Sequence, residues 1–88
     1  MRHPHASANK ADPALDALEQ LSGHEWRRRG DVYECRVNKT HANNIETEFV
    51  EYGIPVKKEI SEARSGRYFL TVAVSDGQFA LNAAEKRR

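Results

Sequence analysis

Apolar residues take every second place in some stretches of this chain and every third or fourth place in others. Between Val32 and Asn38, Tyr33, Cys35 and Val37 point one way while Glu34, Arg36 and Asn38 point the other, which is the period of a half-buried strand. Tyr68-Phe69-Leu70-Thr71-Val72-Ala73-Val74 has the same period, with Tyr68, Leu70, Val72 and Val74 sharing a face; its β-branched and aromatic content predicts a central strand. Each run has a partner upstream, across a turn. His24-Glu25-Trp26-Arg27-Arg28-Arg29 leads into Gly30-Asp31, which suits a two-residue hairpin turn needing positive φ. Ile54, Val56 and Ile60 alternate with Pro55, Lys57 and Glu59 before the turn Arg64-Ser65-Gly66-Arg67, and Pro55 places the strand 54–62 at a sheet edge or at a strand start.

The other apolar residues follow a helical period. Leu15, Leu18 and Leu21 with Ala14 form one stripe over 12–22, with Asp12 as N-cap, Pro13 at the first helical position and Gly23 as the stop. Ala42, Ile45, Phe49 and Tyr52 share a face of a helix over 40–52, capped by Thr40 or Asn43 and ended by Gly53. A last helix over 78–86 has Asp76 as cap and Phe79 and Ala83 as anchors, with Lys86-Arg87-Arg88 where cations suit the dipole. Residues 1–11, mostly His, Pro, Ala, Ser and Asn, offer nothing to pack and predict a disordered tail.

The chain therefore reads as one α+β domain over 12–88, in the order αββαββα, with an antiparallel sheet of two hairpins covered by two to three helices. Its strand–helix–strand–strand–helix part resembles a ferredoxin-like topology without the last strand, a likeness of fold that implies no activity. Gly30 and Gly66, Tyr33 and Phe69, and Thr40 and Asp76 are each 36 positions apart, too few coincidences for a duplication.

Composition adds limits. Eighty-eight residues suit one domain with a modest core. No apolar run reaches the roughly 18 residues of a membrane span, and no apolar stretch follows Met1-Arg2-His3-Pro4-His5 as in a secretory signal. One cysteine excludes an internal disulfide and points to a reducing cytoplasm. Net charge is only +1, but it is unevenly placed: 24–39 and 54–75 each carry +2 and 40–53 carries −3. Two basic hairpins thus flank an acidic helix.

None of the reactive side chains makes a catalytic or metal motif. Cys35 falls on the core face of its strand, where a thiol is a small inert hydrophobe rather than the nucleophile of a pair with His41. His3, His5, His24 and His41 lack the close spacing that holds zinc; His3 behind a free terminus offers only an incidental Cu(II) or Ni(II) site. Glu46, Glu48 and Glu51 read as the solvated shoulders of an amphipathic helix. The five glycines sit singly at turns, so no phosphate loop exists. We expect no enzyme activity and no cofactor.

What is left over is basic and aromatic: Trp26, Arg27, Arg28, Arg29, Lys57, Arg64, Arg67 and Phe69. Trp, Phe and Arg are the residues that interface centres favour, and Val50 also falls off the core stripes. The expectation is a small protein-binding module, a regulator or inhibitor of a larger complex of the kind mobile elements carry, docking through a sheet edge or the Arg27–Arg29 hairpin. An open sheet edge is also satisfied by a second copy of the chain. The alternative is nucleic-acid binding, if Arg27, Arg29, Lys57 and Arg67 converge on a phosphate backbone with Trp26 or Phe69 stacking a base. Interleaved Glu25, Asp31, Glu34, Glu59 and Glu62 weigh against it. No membrane partner is expected.

Overall fold

A computed structural model of the chain describes residues 12–62 and 66–87, with no side-chain detail at 61 and 62. The expected tail over 1–11 and Arg64 lie outside the described residues. The elements are α1 (Pro13–Ser22), β1 (Arg27–Arg29), β2 (Val32–Asn38), α2 (Lys39–Tyr52), β3 (Lys57–Glu62), β4 (Arg67–Ala73), a 3-10 turn (Val74–Asp76) and α3 (Gly77–Lys86). The order αββαββα is as expected.

The four strands form one antiparallel sheet in the order β1-β2-β4-β3. β4 therefore lies between β2 and β3, which is the split arrangement of the ferredoxin-like part, and the N-terminal β1 fills the remaining edge beside β2. β2 and β4 pair over their full length, from Val32 opposite Ala73 to Asn38 opposite Arg67. Gly30 alone takes a positive φ, 63°, in the β1–β2 turn; Asp31 does not, the pattern of a II′ turn with glycine first. Tyr33 and Phe69, one of the three spaced coincidences, face opposite sides of the sheet.

One sheet face is covered by the helices. Tyr33, Cys35, Val37, Leu70 and Val72 meet Leu18 and Leu21 of α1, Ala42, Ile45 and Phe49 of α2, and Ala80 and Ala83 of α3 in one core. The N-terminus of α1 is fixed by a single carboxylate. Asp12 Oδ1 accepts from Leu15 N–H at 3.2 Å and from the Tyr33 hydroxyl at 2.9 Å, so the cap also joins α1 to β2.

Four expectations are corrected. The cap of α2 is Asn38, whose Oδ1 accepts from His41 N–H at 2.9 Å; the helix starts directly at the end of β2, which leaves Thr40 and Asn43 inside it. Phe79 does not anchor α3 but is 47% exposed, because the buried stripe runs through Gly77, Ala80 and Ala83. Ile60 is 54% exposed, since β3 is the edge strand and α2 reaches it only around Lys58, which donates to Asn43 Oδ1 at 2.6 Å and pairs with Glu46 at 3.0 Å. Ile54 is buried, but in the loop before β3.

Gly77 has a different role from the turn glycines. Its φ of −59° is ordinary helix, yet a Cβ there would lie 2.8 Å from the Ala14 Cβ. The missing side chain lets α3 approach α1 closely. Replacing a helical glycine by alanine normally stabilises. Here Gly77→Ala is expected to destabilise by about 1–3 kcal/mol through overpacking, and Ala14→Gly in the same chain to recover part of the loss, both read from urea midpoints.

Candidate functional site

Among the described residues no layer covers the sheet face opposite the helices, and strand alternation decides what it shows. A row runs across all four strands, Arg27–Glu34–Thr71–Lys57. The next row is Arg36–Phe69–Glu59, and Arg67 stands opposite Asn38 beyond it. Arg29 lies opposite Val32 at the other end. The register thus gathers Arg27, Arg29, Arg36, Lys57 and Arg67 around Phe69, with Glu34 and Glu59 among them.

Contacts within the face are specific. The Arg36 guanidinium lies 5.7 Å from the centroid of the half-buried Phe69 ring, within cation–π range. Arg29 Nη1 reaches Glu34 Oε1 at 3.5 Å. The Glu34 side chain is only 14% exposed, so the face presents cations more than anions to solvent. Glu25, Trp26, Arg27, Arg29, Glu34, Arg36 and Phe69 line a shallow hollow on it, open to solvent. The acidic residues Glu48 and Glu51 are exposed on α2, in the opposite layer. The molecule therefore has a basic front and an acidic back.

Of the residues singled out from the sequence, Arg27, Arg29, Lys57, Arg67 and Phe69 share this face. Trp26 and Arg28 do not take the places expected of them. Trp26 is 5% exposed, and its ring stacks on Phe49 with centroids 5.7 Å apart. Its indole N–H donates to Ser22 Oγ at 2.8 Å and its backbone N–H to Glu19 Oε2 at 3.0 Å, so it bolts the end of α1 to α2 and β1. Arg28 points to the side of the helices, where its Nε donates to the Gly30 carbonyl at 3.0 Å and Nη1 stands 3.9 Å from Asp12 Oδ2. Arg36 was missed. Its place in the alternating pattern was legible, but its neighbour Phe69 comes only from the β2–β4 register.

Cys35 is buried as expected, and burial, with the Glu19 charge adding to it, pushes its thiol up to about 12. Among the described residues no group of three or more metal-ligating side chains comes together, and no helix is long and apolar enough to cross a membrane. No protein-family model, curated protein or solved structure matches the chain.

Three outcomes follow from these environments. Trp26→Ala is expected to lower unfolding free energy by about 3–5 kcal/mol, and Arg36→Ala to stay within about 0.5 kcal/mol of the parent, in the same denaturant titration. Alkylation of Cys35 at pH 7.5 should run on the order of a thousandfold slower than that of free cysteine. The unfolded thiol ionises near 8.5 while the folded one keeps its proton to about 12. Stability is then intact below about pH 8 and falls as pH rises through 9 and 10, a slope that Cys35→Ala should reduce.

Proposed function

We propose that the chain is a non-enzymatic binding module that docks its open sheet face on an acidic surface of another protein, acting in the cytoplasm as a regulator or inhibitor of a larger complex. The observation that carries this reading is the cluster of four arginines and Lys57 around Phe69 on the sheet face that no described helix covers. Arginine forks bind carboxylates bidentately and lose little order doing so when the side chain is already held. Arg36 is held by Phe69 and Arg29 by Glu34. A strand-built face also keeps its shape on binding, which limits the entropic cost of docking.

A second reading, single-stranded nucleic acid, is favoured by the convergence of Arg27, Arg29, Lys57 and Arg67 on that face. Two features speak for protein instead. Sheet-bound RNA stacks on two or three free aromatic rings, whereas this face has one, already occupied by Arg36. Glu34 and Glu59 also stand in the rows a phosphate backbone would follow.

Arg36→Ala combined with Phe69→Ala is expected to abolish capture of a partner protein from the native host's lysate, with mass spectrometry as readout. Arg28→Ala should leave it intact. Capture unchanged by the double substitution would refute the placement. Fluorescence anisotropy with labelled single strands at two salt concentrations addresses the alternative: binding at micromolar protein that falls steeply with salt replaces the protein reading.

A further inference from the structure

Two histidines 17 positions apart meet on the helix side of the molecule. The rings of His24 and His41 lie with centroids 4.6 Å apart at an interplanar angle of 58°. Both are mounted on fixed backbone. His24 follows α1, and its N–H donates to Ser22 Oγ at 3.2 Å while its carbonyl accepts from the same hydroxyl at 3.4 Å. That hydroxyl also accepts from buried Trp26. His41 stands in the first turn of α2, where its N–H is taken by the Asn38 cap. The two rings line one shallow hollow with Ser22, Asn44, Thr47 and Glu48.

We infer that His24 and His41 form a two-imidazole site for one borderline divalent transition-metal ion of the zinc class. The geometry carries this. With Zn–N bonds of about 2.05 Å at a tetrahedral angle, two imidazole centroids stand about 5 Å apart, close to the observed separation of 4.6 Å. The rings are tilted by 58° rather than stacked in parallel, an arrangement open to a shared ion. Two protein ligands leave the remaining positions to water, so the ion exchanges readily and is not a structural one.

The test uses the full chain with His3→Ala and His5→Ala, which removes the competing terminus. Zinc chloride is added at pH 7.5 while the imidazole resonances are followed by NMR. The expected result is a saturable one-to-one shift of His24 and His41 together. His41→Ala, at an exposed position, should weaken the remaining His24 response about tenfold or more, because the second ligand no longer binds intramolecularly. A zinc-dependent rise in Tm should disappear in both His41→Ala and His24→Ala. No shift up to millimolar zinc, or a His24 shift undiminished by His41→Ala, would overturn the site.

Discussion

Strands β2 and β4 lie side by side over seven residue pairs, and almost everything else in the molecule hangs on that ladder. Cys35 stands opposite Leu70 on the covered face, and the next pair, Arg36 opposite Phe69, stands on the open one. A slip of one residue would move Leu70 and Val72 into water and Phe69 into the core. The pairing is also remote in sequence, so its closure entropy must be offset by the segment that bridges it. α2 does most of that bridging. It begins without a loop at Asn38, packs Ala42, Ile45 and Phe49 on the sheet, and ends where the Ile54 N–H donates to the Phe49 carbonyl at 2.8 Å. β1 and β3 are then added at the two edges, each by a local hairpin.

The covered face needs three helices because none is long. α1 and α3, of 10 residues each, are held by close approach and by shared anchors rather than by their own helicity. Gly77 against Ala14 sets the α1–α3 distance, Asp12 links the start of α1 to Tyr33, and Trp26 links its end to Phe49. With the apolar residues drawn to one side, Arg27, Arg29, Arg36, Lys57 and Arg67 are left on the other, while Arg28 and Lys58 stay with the helices. The acidic flank of α2 faces away from them. A chain of net charge +1 thus becomes a strongly polarised molecule, because folding sorts charge by layer while leaving the total unchanged.

The element order was legible because most boundaries have their own local chemistry: Asp12-Pro13, Gly30-Asp31 and Gly53 mark ends that do not depend on distant residues, whereas the expected cap Asp76 makes no side-chain hydrogen bond to α3 and Gly77 answers to Ala14. Errors fall where tertiary contacts decide. Trp26 stands among charged residues in the sequence, a setting that predicts exposure, but its partners Phe49 and Ser22 come from two helices. Size alone predicts Phe79 as an anchor, although a close helix–helix contact selects Gly77 and Ala80 instead. The candidate face was half legible. Alternation placed Arg36 and Phe69 on it, but only strand order shows that they touch. The meeting of His24 with His41 has no local signal at all.

The contact between Arg36 and Phe69 bears on what the face can bind. An aromatic ring open to water is a costly apolar surface, and a guanidinium lying over it covers that surface while keeping its edge donors available. The arrangement orders the arginine before any partner arrives, so less rotamer entropy remains to be lost on docking. It also spends the ring. A base would have to displace Arg36 before stacking, exchanging one π contact for another, whereas a carboxylate meets the guanidinium edge with the existing contact intact. The proposed docking on an acidic surface thus keeps the contact between Arg36 and Phe69 that a stacked base would have to break.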